Sequence, residues 1–472
     1  MKPDNQGTDN MKRSPLKKTI CALLALIIAL SLAACSQEKA VLIVDIGSPT
    51  EQTAALPTEA PTEAPTPEPT ATPEPPFVPA DVEEAVRVYE SYKLAYDPID
   101  RAKVEPNYPI TQPRYSMGED GVYRSSSATG DNEAVIMLTG DLMCQTRQQE
   151  AGKTATGYSF IESFDYVKSI FATADFVVGN LEATLSESAP YMAESIEVEG
   201  RPHLNSPASF LEAVRYAGFD MVVMSNNHNC DSGVRGIYDT LDRVDEYRLI
   251  HTGLYRNTVE PRYNVIDVDG IKIAVLSYSV YFNTKEEHLT AAGRDALLNI
   301  YSKEKVERDS AAARAAGAEF VFVYIHWGTE YMNEPDDSQF FYAKQIADAG
   351  ADFIVGSHPH ALQPYSTVKS SDGRTVPVIY SMGNFVSHQT KVCTKDTIIL
   401  RVVLKRDETG AITLSEQGYI PCRVYKLFLN KDYAIVPVVK PYNNGMTSAY
   451  FAPAYQRITE IIGNKIKVLG TL

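Results

Sequence analysis

Apolar, β-rich runs recur along the chain at residues 134–138, 176–178, 221–224, 271–276, 320–325, 353–355 and 376–380. Each is short and bounded by turn-forming residues, which predicts a strand rather than a buried helix. Between several of them lie helical patterns. Residues 206–218 carry Ser206 as a cap, Pro207 at the first helical position and Gly218 as a stop. Residues 303–316 and 338–349 show the same order of helix running into strand. This repetition predicts an α/β core. Beyond Thr397 an apolar run at 398–404, the turn residues Asp407 to Gly410 and a second run at 412–414 predict a hairpin of antiparallel strands. Residues 81–96 have a helical pattern with Val82, Ala85, Val86, Val88 and Tyr89 as apolar positions.

The first eighty residues have a different character. A basic stretch from Lys12 to Lys18, an apolar stretch from Ile20 to Leu30 and Leu32-Ala-Ala-Cys35 predict an export signal, with Met11 as its start. The end of that signal resembles the lipobox of bacterial lipoproteins, which implies cleavage after residue 34 and lipidation of Cys35. An ordinary signal peptide or a short uncleaved anchor is the alternative. The lipoprotein reading places the body outside the cell, anchored to the outer face of the membrane. Residues 35–80 are rich in Pro, Thr and Glu and predict an extended, semi-rigid spacer. The remaining expected divisions are an N-terminal extension at 81–132, a principal domain at 133–405, and C-terminal strands and tail at 406–472.

The chain of 472 residues carries a net charge of −16. Removing +3 for residues 1–34 and −6 for residues 35–80 leaves −13 on the body. Such a field argues against nucleic acid as a partner, and any anionic substrate must meet a local positive group or a metal. Cys144, Cys230, Cys393 and Cys422 in the body show no metal-finger spacing, and their pairing is open.

Chemistry concentrates where the predicted strands stop. They run out in Thr139-Gly-Asp141, Gly179-Asn-Leu-Glu182, Asn226-Asn-His228, His326-Trp-Gly328 and Gly356-Ser-His-Pro-His360. In α/β sheets ligands collect beyond the carboxyl ends of strands, so residues two hundred positions apart can converge. Carboxylate, imidazole and amide oxygen together suit Mn, Fe or Zn. Singly, the stretches also read as turns, caps or a core histidine, His358-Pro-His360 least readily because proline stiffens its turn. Trp327 and Tyr331 are candidates for an aromatic wall or for core packing, and Arg201 and His203 for an anion contact or a polar loop.

These stretches, with Asp231, Gly233 and Tyr380-Ser-Met-Gly-Asn-Phe385, resemble the CapA family of poly-γ-glutamate capsule proteins over about residues 133–386. That family is similar to the calcineurin-like metallophosphatases, which implies a two-sheet β-sandwich flanked by helices with a dinuclear site at the strand ends. By this resemblance Asp141 and His360 hold one divalent ion. Asn227, His326 and His358 hold another, and Glu182 bridges the two. His228 donates a proton to the leaving group, and Asp231 fixes its tautomer or shapes the loop. Metallophosphatases usually carry a histidine two residues after the first aspartate, whereas this chain has Met143. Thioether is a poor ligand for a hard ion, so one firm and one weaker metal are expected.

The resemblance implies capsule synthesis or processing, with poly-γ-glutamate or another anionic surface polymer and capsule synthesis or export proteins as partners. Three functions follow: a hydrolase of a phosphoester or γ-glutamyl amide using metal-activated water, a non-catalytic polymer-binding component, or a surface spacer with a vestigial site.

Overall fold

The computed structural model describes residues 112–199, 203–426, 433–443 and 448–472, together with Pro106 and Ile110. The export signal, Cys35, the spacer, the 81–96 helical pattern and Arg201 lie outside the described residues.

Strand alternation builds the core. Ile136 and Leu138 of the Glu133–Leu142 strand, and Phe176 and Val178 of Phe176–Leu181, point one way. They meet Ile273 and Val275 of Ile271–Ser279, Phe322 and Tyr324 of Phe320–His326, and Val355 of Phe353–Ser357. Successive residues in a strand face opposite sides of the sheet. Met137 and Val177 therefore join the apolar faces of helices Asp165–Phe171, Ser209–Ala217 and Gly233–Glu246. Ala274, Leu276, Val321 and Val323 likewise join helices Lys303–Ala315 and Asp337–Asp348. The result is two sheets face to face with helices on both outer surfaces.

One sheet runs Tyr115–Met117, Val122–Ser125, Asn264–Val268, Ile271–Ser279, Phe320–His326, Phe353–Ser357, Thr375–Ile379, Tyr365–Lys369. The other runs Tyr433–Pro437, Ile412–Lys426, Asp396–Arg406, Glu133–Leu142, Phe176–Leu181, Met221–Val223, Ile250–Thr252. Asn384–Val386 pairs parallel to Glu133–Leu142, and Lys467–Val468 pairs parallel to Ile412–Lys426. The central strands of each sheet are mutually parallel, so their carboxyl ends emerge together. The C-terminal hairpin is antiparallel, as its turn sequence predicts, and its second strand extends the sheet that holds Asp141. Among the described residues no helix is long and apolar enough to cross a membrane.

Several expected boundaries shift. The helix expected from Ser206 begins at Ser209 with Ala208 at its cap position. The Ser206 hydroxyl donates instead to the Cys144 carbonyl at 2.7 Å, a tertiary contact that outweighs local capping. Asp336, rather than Ser338, caps the Asp337–Asp348 helix in a reciprocal pair with Gln339. Cys144, Cys230, Cys393 and Cys422 are all free thiols.

The pairing of Glu133–Leu142 with Phe176–Leu181 is irregular between Leu138 and Asp141, and this break turns Asp141 toward the crevice. Gly140 makes it possible, because a Cβ there would lie 1.9 Å from the Gly383 carbonyl oxygen. That carbonyl accepts a hydrogen bond from the Asp141 amide at 3.0 Å. Gly140→Ala is expected to lower stability by about 2–3 kcal/mol, the cost of forcing bulk into packed backbone. An unfolding midpoint in denaturant equal to that of the wild type would show that this contact is not tight.

Candidate metal centre

Six side chains from both sheets meet at the carboxyl ends of their strands. Glu182, following Phe176–Leu181, sits at the middle with no exposure to solvent. Its Oε1 lies 3.7 Å from His360 Nε2, 3.9 Å from His326 Nε2 and 3.9 Å from His228 Nε2. Asp141, equally buried, accepts from Asn180 Nδ2 at 2.8 Å through Oδ1, while its Oδ2 lies 3.5 Å from His360 Nδ1. Asp141, Glu182 and His360 bring ligand atoms within 4.8 Å of one another.

The other half is built from His326, Asn227 and His358. His326 Nε2 is 3.0 Å from Asn227 Oδ1 and 3.0 Å from His358 Nδ1. The second nitrogen of His326 is held by the Ser357 hydroxyl at 2.9 Å. In metal sites such an outer partner fixes the ring and leaves the inner nitrogen to the ion. His360 is oriented comparably, with Nδ1 2.9 Å from Asn384 Oδ1.

His358 and His360 both adopt left-handed backbone, with φ of 93° and 55°. Non-glycine residues rarely do so, and strain of this kind concentrates at functional sites. The turn is braced where the Tyr331 amide donates to the Pro359 carbonyl at 2.7 Å.

The site's charges are unbalanced as they stand. Asp141 Oδ2 and both carboxylate oxygens of Glu182 are buried with no hydrogen-bond partner. Burial pushes the Glu182 carboxyl well above its usual range, and the neighbouring charges of Asp141 and Glu330 push it further. Burial, together with His358, His360 and His228, pushes His326 well below its usual range. His358 falls to about 4, chiefly through burial and then through His360. Unpartnered buried carboxylate oxygens are costly unless a cation joins them. The donor set therefore fits a divalent cation.

Beside this cluster His228 Nδ1 lies 2.8 Å from Asp231 Oδ2. Burial opposes the charged form of Asp231, yet His228 and Lys285 hold its carboxyl well below the usual carboxylate range. A cavity of about 390 Å³ opens next to the cluster. Met143, Leu204, His228, Tyr331, His360 and Lys391 are among its lining residues. Lys391 Nζ stands 3.4 Å above the Tyr331 ring, so the cavity carries a cation, with the acidic Glu330 also in its lining.

All eight candidate catalytic and metal-ligating residues of the body thus fall in one place. Of the two aromatic candidates, Tyr331 lines the cavity. Trp327 is fully buried and donates to the Tyr380 carbonyl at 2.8 Å, so it belongs to the core. Met143 is buried against Ala183 and Leu204 at the cavity wall and supplies no hard ligand. His203 is buried, and His388 lines the cavity. Sequence reasoning missed Ser357, Asn384, Asn283 and Lys285 as supporting groups. Only Ser357 and Asn384 lie in motifs where a signal could have been sought.

This is a helix-flanked, two-sheet α/β sandwich with a candidate metal cluster at its strand ends. Residues 135–389 match the family described as "Bacterial capsule synthesis protein PGA_cap", and the chain belongs to that family. It is 31% identical over 294 residues to the capsule biosynthesis protein CapA of Bacillus anthracis, covering 60% of this chain and 67% of that protein. It is 30% identical over 255 residues to the PGA biosynthesis protein CapA of Bacillus subtilis, covering 52% and 62% respectively. Weaker likenesses are to the NAD nucleotidase of Haemophilus influenzae (TM-score 0.40, 13% identity, 72% of this chain and 57% of that chain). The calcineurin-like phosphoesterase YfkN of Bacillus subtilis gives a TM-score of 0.39 at 13% identity, covering 70% of this chain and 97% of that chain.

Glu182→Gln replaces a buried carboxyl whose ionised form burial disfavours, so in metal-free protein it should leave stability unchanged or raise it. Added Mn or Zn at a hundredfold excess over its dissociation constant should stabilise the wild type by about 2.7 kcal/mol and the variant far less. Thermal denaturation with and without metal checks this. Equal metal-induced gains in the two proteins would contradict the role of Glu182.

Proposed function

We propose that this protein is a metal-dependent hydrolase acting on capsule polymer, poly-γ-glutamate or a related anionic chain, at the outer face of the cell membrane. The observation that carries the proposal is the Glu182 carboxylate, buried without a hydrogen-bond partner and surrounded by His228, His326 and His360. Family membership supports the capsule context. Localisation follows from the Cys35 lipidation expected from sequence, and capsule synthesis or export proteins are the partners that the context suggests.

Glu182, Asn227, His326 and His358 would hold the firmer ion, with Asp141 and His360 sharing Glu182 around a weaker one. Mn, Fe or Zn suits the donors. Such ions, when bound, lower the pKa of a coordinated water and neutralise charge developing on a scissile oxygen.

The chain's own residues supply the rest. Asp231 accepts from His228 Nδ1, which leaves Nε2 on the Glu182 side of the ring; when the ring also takes a proton at Nε2, the imidazolium held by Asp231 can pass that proton to a departing amine or alcohol and return to the Nδ1–H form. Lys391 offers a positive group to an anionic substrate in a cavity large enough for a polymer segment. Met143 and Leu204 give one wall an apolar surface. Met143, standing where metallophosphatases usually carry an imidazole, favours a second reading in which the protein binds the polymer without cleaving it.

His228→Ala is expected to keep its metal and lose 10²- to 10⁴-fold in turnover, the usual contribution of general acid catalysis. Assays on γ-linked polyglutamate and on bis(p-nitrophenyl) phosphate, with metal-loaded wild type and variant, decide the matter. Polymer binding without turnover by the metal-loaded wild type would favour the second reading.

A further inference from the structure

Lys285 belongs to none of the strand-end motifs, yet it reaches the site. It closes a short segment, residues 281–285, that follows the Ile271–Ser279 strand and is anchored by the buried side chain of Phe282. Asn283 and Thr284 take left-handed backbone in succession, with φ of 56° and 60°. Consecutive non-glycine residues in that region persist only where surrounding contacts impose them.

The segment makes three contacts with the candidate metal centre. The Tyr281 ring lies 5.2 Å from the His358 imidazole. Asn283 Oδ1 accepts from Asn227 Nδ2 at 3.2 Å, which turns the Asn227 carbonyl oxygen toward His326. Lys285 Nζ donates to Asp231 Oδ1 at 2.7 Å.

We infer that Lys285 is a positioning residue that sets the tautomer and direction of His228 through Asp231. The Asp231 side chain is 1% exposed and has only two oxygens to share. Its Oδ2 accepts from the Leu204 amide at 2.6 Å and faces His228 Nδ1 at 2.8 Å. Lys285 occupies Oδ1, so the carboxylate cannot turn without losing a charge-assisted bond, and its negative charge stays balanced in a buried place. An anchored, charged carboxylate keeps the proton of His228 on Nδ1. Nε2 is then left to the reacting side. Remove Lys285, and the carboxylate can turn, which releases the imidazole to both tautomers. The use of His228 rests on the hydrolytic reading above, while the Lys285 to Asp231 to His228 relay is tested without turnover.

The test is ring-nitrogen NMR of the full chain, labelled with ¹⁵N-histidine and freed of metal, with His228→Gln assigning the signals. Wild type is expected to show His228 in a single Nδ1–H form. Lys285→Met should lose that form to averaged tautomers, Lys285→Arg should restore it, and Asp231→Asn should reproduce the loss. Manganese content after reconstitution should match the wild type in Lys285→Met. An unchanged His228 signal in Lys285→Met or in Asp231→Asn would overturn the inference. Loss of metal alongside the tautomer would overturn it too, by making Lys285 a general structural support. Absence of turnover in the wild type would count against the hydrolytic reading and leave the relay standing.

Discussion

Two carboxylates with no exposure to solvent, Asp141 and Glu182, stand side by side at the ends of adjacent parallel strands, and three of their four oxygens lack a hydrogen-bond partner. Burying like charges together is among the more costly arrangements a fold can hold, and a cation between them changes its sign. The architecture is arranged around that pair. The two sheets bring carboxylates from one side and imidazoles from the other into a single crevice. The inter-sheet core of Ile136, Leu138, Val275 and Phe322 keeps the halves in register.

Precision at the crevice comes from backbone more than from side chains. The pairing break before Asp141 depends on the absence of a Cβ at Gly140, and Gly356 plays a similar part before His358. A Cβ at Gly356 would meet the Tyr380 carbonyl oxygen at 1.9 Å. The left-handed turns at His358 and His360 carry both rings into the site around the stiff Pro359. Ser357, Asn384 and Asn283 then hold the ligands from behind. This is what a metal site requires, since ligands that must find their geometry after the ion arrives bind it weakly.

Much of this was legible in the chain. The apolar runs ended in metal-capable residues one after another, and parallel strands place such ends together, so the strand-end stretches stood out before any geometry was known. The family resemblance then singled out Asp141, Glu182, Asn227, His326, His358 and His360 within them, and paired His228 with Asp231. The helix start at Ser206 was misread because a capping serine and a serine bonded to a distant carbonyl look alike in sequence. Trp327 and Tyr331 differ by four positions and have opposite fates. Only the turn at Gly328, with φ of 86°, and its sequel separate the core from the cavity. Lys285 was out of reach, since its partner lies 54 residues away and a lone lysine in a loop carries no pattern.

The central claim is that these residues bind metal. Elemental analysis of the purified full chain beside Asn227→Ala and His358→Ala tests it most directly. The wild type is expected to hold bound Mn, Fe or Zn, with more than one ion per chain only at higher metal concentration, and both variants to hold less. A wild type that stays metal-free after reconstitution, or variants that keep its full metal content, would contradict it.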